Sequence, residues 1–308
     1  MNDPMKLIVD KDRCPCESGK VIKNCCLRTN GVLRPKPFIP KFPNAKTGIR
    51  NPKCYASDLA NCSDDISGEH CISHSVLRAL SEDGVTIEVE GLSWLKDDEK
   101  KKLSTKTLVS NVLCKRHNEA LSGFDSVAKR FFLSIDKIDK DYAADITEGE
   151  DRVFLFNGHD IERWMLKTLC CLVFSGNASS KSGPTKGLAL NPEWLRILFG
   201  KSGFTSKWGL YFSGNIGEVS TVNRGFGFSS ISNESRGVYG SITVLNGKRF
   251  ILAMDVPPTD KGSTIIAGYV YRPNELVMTN GKSKKVVMFG WDLQGQGGSI
   301  TIDYEKKT

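Results

Sequence analysis

Apolar residues along this 308-residue chain recur at two spacings, and the change divides it. Within 126–138, Val127, Phe131, Phe132 and Ile135 return at helical intervals, which predicts a helix with one buried side. A second helix is predicted from Asn157-Gly158 to Phe174 through Trp164, Leu166 and Leu169. A short third one is predicted over 192–200, carrying Trp194, Leu195, Ile197, Leu198 and Phe199. From residue 208 a period of two takes over. It predicts strands over 208–212, 237–245, 249–256, 264–271, 285–292 and 299–304, separated by turn signals such as Asn246-Gly247 and Asn280-Gly281. One short strand is predicted at 85–89, followed by a charge-rich, solvated insertion from Lys96 to Lys106. The fold class is therefore α+β, with residues 151–308 forming a mixed domain of two helices and an antiparallel sheet.

The first 120 residues show little periodicity but much cysteine chemistry. Cys14-Pro15-Cys16 and Cys25-Cys26 stand eight residues apart. Four thiolates suffice for a tetrahedral zinc shell. Ser18-Gly19 provides the turn between the halves, and Lys20 and Lys23 offset the negative charge. About 30 residues cannot build a core alone, so the ion would supply the fold. The segment closely resembles the SEC-C motif, a zinc-binding module. The resemblance implies a zinc knuckle over residues 1–30 that docks a protein partner. Residues 31–52 carry Gly31, Pro35, Pro37, Pro40, Pro43 and Pro52 among basic residues, and read as an extended linker or wrapping arm.

A second cluster lies in 53–150. Cys54, Cys62, Cys114 and His117 offer four zinc ligands. The Cys114-x2-His117 spacing brings two ligands to one helix start, while seven residues separate Cys54 from Cys62. Between these pairs stand Glu69-His70 and Asn111, and Asn118 follows them. A histidine titrates near neutrality and can accept a proton from water. A carboxylate and an amide oxygen suit a hard divalent ion. Hydrolysis of a phosphodiester needs both an activated water and a counter-charge for the leaving oxygen.

This order of residues resembles the HNH endonuclease family, whose fold is a zinc-stapled ββα-metal unit of the treble-clef type. The likeness covers about residues 51–130. It implies His70 as general base, Glu69 and Asn118 as ligands of Mg2+ or Mn2+, and Asn111, in a loop, as the residue orienting His70. His74 and Asp125 are further candidates. Lys115, Arg116, Lys129 and Arg130 lie close in sequence and are the expected phosphate contacts.

Charge and cysteine usage refine this picture. The net charge of +8 is compatible with a polyanionic partner such as DNA or RNA, without requiring one. No stretch approaches the roughly 18 apolar residues of a membrane span. Met1 to Asp12 lacks a secretory core, so a reducing cytoplasm and metal-bound cysteines are expected rather than disulfides. Cys170-Cys171, inside an apolar run, reads as buried packing, and His159 as a structural helix-end residue. Gly183-Pro184-Thr185-Lys186-Gly187 lacks the spacing of a phosphate-binding loop.

Two readings follow. The first is a metal-dependent HNH endonuclease, acting on DNA before RNA, whose 151–308 domain selects substrate, oligomerises or senses a trigger; such an architecture suits defence against phage. The second is a non-catalytic zinc module that docks proteins on an HNH-like scaffold.

Overall fold

A computed structural model describes residues 13–29, 31–90, 95–96, 99–144, 152–180, 183–185, 189–205, 207–213, 225–234, 237–255, 269–292 and 297–304. In the knuckle, Glu17 and Gly19 adopt left-handed backbone at φ 57° and 75°, which doubles the chain back after Cys16. A 3-10 turn at Ile22–Asn24 then returns Cys25 and Cys26 to the first pair.

The next segment holds β1 (Ile66–Glu69), α1 (His74–Leu80), β2 (Thr86–Val89), β3 (Lys101–Ser104), β4 (Ser110–Cys114) and α2 (Lys115–Ala143). β1 pairs antiparallel with β4, with an irregularity between Ser67 and Glu69, and α2 begins on the residue after β4. Part of the charged insertion is a strand: β3 pairs with β2, and Lys100 bridges Glu88 and Glu90 at 3.5 and 3.6 Å. Residues 97–98 of it lie outside the described residues.

The second half holds β5 (Arg152–Asn157), α3 (Gly158–Ser175), the two-residue strands β6 (Ser179–Ser180) and β7 (Gly183–Pro184), and α4 (Pro192–Leu198). Eight strands follow: β8 (Gly209–Ser213), β9 (Phe226–Asn233), β10 (Gly237–Leu245), β11 (Lys248–Ala253), β12 (Tyr269–Tyr271), β13 (Glu275–Thr279), β14 (Lys284–Gly290) and β15 (Ser299–Asp303). They form a five-stranded antiparallel sheet ordered β12-β8-β11-β10-β9 and a four-stranded sheet ordered β15-β13-β14-β5.

The α+β class stands, with several differences inside it. The four-stranded sheet is mixed: β13 runs parallel to β15, and β14 parallel to β5. β5, β9 and β13 escape the alternation pattern. β5 reads Arg-Val-Phe-Leu-Phe-Asn, an apolar run suited to a strand buried on both faces, and β9 is rich in Gly and Ser. Helix α2 starts eleven residues before the predicted 126, because its first turn is set by ligand and hydrogen-bond contacts and not by an apolar stripe. Parts of the predicted strands 249–256 and 264–271, and Lys186-Gly187, lie outside the described residues.

Helix α2 is the spine. Phe124, Phe131, Phe132 and Ile135 are fully buried, and each such side chain contributes roughly 1.5–3 kcal/mol. Phe131 meets Phe156 of β5, Phe250 of β11 and Phe289 of β14 edge-on, at 5.3, 5.3 and 6.0 Å. At its far end Asp139 accepts from Lys248 at 2.7 Å, from Asn246 at 3.0 Å and from Tyr304. His159 takes the structural place expected of it, 2.9 Å from Glu162 and edge-on to Trp291. Among the described residues no helix is long and apolar enough to cross a membrane.

The knuckle and arm are packed on this body. Cys14, Ile22, Cys26 and Leu33 share a small core with Leu155 of β5 and Met288 of β14. Arg130 of α2 donates to the Cys16 and Leu155 carbonyls at 2.7 and 3.1 Å and lies 4.4 Å over the Phe156 ring. In the arm, the Phe38 amide donates to both Asp160 oxygens at 2.9–3.0 Å, and its ring meets Phe124 at 4.8 Å. Burial pushes the Asp160 carboxyl up to about 6. Gly123 of α2 lies directly under Phe38, where a Cβ would overlap the ring. Gly123→Ala is therefore expected to lift the arm, costing about 1–3 kcal/mol in denaturant titration and opening residues 34–40 to limited proteolysis.

Candidate functional site

Two quartets could hold zinc: Cys14, Cys16, Cys25, Cys26, and Cys54, Cys62, Cys114, His117, each with its donor atoms within 4.8 Å of one another. Donors of a tetrahedral zinc ion lie about 3.5–3.8 Å apart. In the first quartet Cys25 Sγ stands 3.5 Å from Cys16 Sγ and 3.7 Å from Cys26 Sγ. In the second, His117 Nδ1 stands 3.1, 3.5 and 3.7 Å from the sulfurs of Cys114, Cys54 and Cys62. The wide Cys54–Cys62 spacing is absorbed by a 3-10 turn at Ser57–Leu59 and by Ala60 in left-handed backbone at φ 49°. All four residues of this quartet are buried. As bare thiols they cannot all ionise: the hydrogen bond between Cys54 and Cys114 pushes Cys54 up and draws Cys114 down to about 3. A divalent cation removes that conflict by taking every sulfur as thiolate.

The second quartet roots the paired strands β1 and β4 on α2, and His70 stands just past the end of β1. Its ring stacks on His74 with centroids 4.7 Å apart. The Thr105 hydroxyl lies 3.3 Å from His74 Nε2, and the Thr105 backbone favours the charged form of His70. Among the described residues His70 Nε2 is buried without a hydrogen-bond partner. Burial first, and His74 second, lower the His70 pKa below its ordinary 6.5.

The remaining expected residues fall differently. Asn118 is pinned to β1, donating to Ser67 Oγ at 2.8 Å and to the Gly68 carbonyl at 3.4 Å. Asn111 is exposed on β4, not in a loop, and makes no hydrogen bond to His70 among the described residues. Glu69 is not an open hard-ion ligand. Its carboxylate is buried and stands 2.7 Å from Lys167 Nζ. Lys167 also reaches Asp125 Oδ1 and Oδ2 at 2.8 and 2.9 Å, and Asp125 Oδ1 accepts from Ser73 at 2.6 Å. Burial opposes the Lys167 charge, but Glu69 and Asp125 outweigh it and raise its pKa.

Arg116 and Arg130 are corrected as phosphate contacts. Arg116 is buried and bonds Asn61 Oδ1 at 3.1 Å and the carbonyls of Pro43, Asn44 and Ala45 in the arm. Arg130 holds the knuckle, as described above. Lys115 and Lys129 remain exposed.

Sequence reasoning missed Lys167 and Cys71. The signal for Lys167 was a lone lysine inside the apolar run Trp164-Met165-Leu166-Lys167-Thr168-Leu169. Cys71 and Cys171 form a disulfide, with Cα atoms 5.2 Å apart, against the expectation that disulfides are absent. The other eight cysteines are free. Compared with known proteins, the chain matches no family model, no curated protein and no solved structure.

Two outcomes are expected. Metal analysis of purified protein should find two zinc ions per chain. Cys114→Ser should retain one of them and lose about 3–5 kcal/mol of stability. Arg116→Ala should lower the melting temperature, because Arg116 is buried and holds the arm, whereas Lys115→Ala, at an exposed position, should leave melting unchanged.

Proposed function

We propose that this chain is an HNH-type endonuclease that hydrolyses phosphodiester bonds, in DNA before RNA, with His70 as general base. One observation carries the reading. A zinc-ready quartet ties a pair of strands to a helix, and the histidine just past the end of β1 is stacked on His74 with Nε2 buried and without a partner among the described residues. A neutral imidazole so held can take a proton from water as the oxygen attacks phosphorus. Its lowered pKa keeps it neutral at physiological pH. Asn118, fixed on β1, and exposed Lys115 are the groups this reading assigns to the phosphate. A hard divalent ion does not fit at Glu69, whose charge is already met by Lys167.

A second reading, a zinc-held docking module without catalysis, is favoured by that same Glu69–Lys167 pair and by the burial of His70 Nε2. Cleavage of plasmid DNA and of RNA by the zinc-loaded protein, beside His70→Ala of equal zinc content, separates the two. The nuclease reading expects a loss of about 100-fold or more in the variant. Because the imidazole acts as a base and its pKa is lowered, kcat/KM should rise with pH to a plateau whose midpoint lies below 6.5. Absence of cutting by the wild type on either substrate supports the docking module, and cutting that survives in His70→Ala sinks the assignment of His70.

A further inference from the structure

Glu69 and Cys71 both reach α3: Glu69 through Lys167, and Cys71 through its disulfide to Cys171. Lys167 and Cys171 are four apart on α3 and so share one helix face. The segment 69–71 is thereby fastened to α3 at two points, and His70, between them, stacks on His74.

At the first of these points the chemistry departs from that of a divalent-ion site. Three carboxylate oxygens, one from Glu69 and two from Asp125, surround Lys167 Nζ at 2.7, 2.8 and 2.9 Å. Lys167 donates to both Asp125 oxygens, and its contact with Glu69 Oε1 is an ion pair. The spacing is that of charge-assisted N–H···O contacts, whereas Mg2+ holds oxygen at about 2.0–2.1 Å. Ser73 fixes Asp125 from the far side at 2.6 Å. The side chains of Lys167 and Glu69 are each 2% exposed, so the ammonium has no solvated position to swing into without unburying its charge.

We propose that Lys167 Nζ is the resident cation of the Glu69–Asp125 carboxylate pair, occupying the place of a divalent ion and positioning the His70 segment. The proposal takes from the nuclease reading only the location of the site. Lys167 is a positioning residue, since it touches Glu69 and Asp125 and acts on His70 through them.

The test reads ion binding and not cleavage, so the failure of either idea is visible separately. Mn2+ uptake by the zinc-loaded full chain is followed by electron paramagnetic resonance in the wild type, Glu69→Gln, Lys167→Ala and the double variant. The wild type and Glu69→Gln should bind Mn2+ alike. Lys167→Ala, with its two zinc ions retained, should gain one Mn2+ per chain that the double variant loses. Mn2+ binding by the wild type that Glu69→Gln abolishes overturns the proposal, as does a zinc-replete Lys167→Ala that gains no ion. A measurement on the unmodified protein covers the case in which Lys167→Ala fails to fold. The 15Nζ resonance of Lys167 should be unmoved by saturating Mg2+, and a shift or loss of that signal would show the ammonium displaced.

Discussion

The buried quartet of Cys54, Cys62, Cys114 and His117 sets the geometry of more of the molecule than its size suggests. It gathers a loop, the last residue of β4 and the first turn of α2, none of which has enough apolar surface to fix the others. Because α2 starts on the residue after Cys114, no slack separates the quartet from the helix. A 29-residue helix spans about 43 Å, so the angle at which it leaves the quartet decides where its far end meets the sheets. There the Asp139 network with Lys248, Asn246 and Tyr304 receives it. A zinc ion in the quartet would thus fix both the β1–β4 pair and the approach of the C-terminal sheets.

Helix α3 provides the return link. It belongs to the C-terminal half by sequence, but it holds the end of β1 through Lys167 and Cys171. A buried ion pair is weak evidence for stability, since desolvation offsets much of the Coulomb gain. What it supplies here is register: Glu69 has a single place where its charge is met, and the strand cannot slide without losing it. The C-terminal half is therefore part of the scaffold of the His70 site.

The parts legible in the sequence are those whose signal is local. The two quartets could be read because metal ligation demands particular residue types at short range, and α3, α4 and the Asn246-Gly247 hairpin could be read from periodicity and turn chemistry. The start of α2 was hidden because Lys115, Arg116 and His117 carry no apolar stripe; the burial of Arg116 and His117 comes from partners 55–73 positions away in the chain. The parallel pairings of β5 and β15 depend on strands more than twenty residues apart. Lys167 was visible as an anomaly within an apolar run, but its partners, Glu69 and Asp125, lie 98 and 42 residues away and no pattern names them.

The same long-range contacts change what the charge count means. A net +8 reads as an invitation to phosphate, yet several of the cations never meet solvent as free charges. Lys167, Lys248, Lys285 and Arg272 are matched by buried or half-buried carboxylates, so each pair leaves the outer field almost unchanged. Arg116 and Arg130 differ, because backbone carbonyls and not acids accept most of their hydrogen bonds. Their charges are held inside, at the roots of the arm and the knuckle. The field a nucleic acid would meet is accordingly set by exposed lysines such as Lys115 and Lys129, and the arginines nearest the site in sequence serve to assemble it.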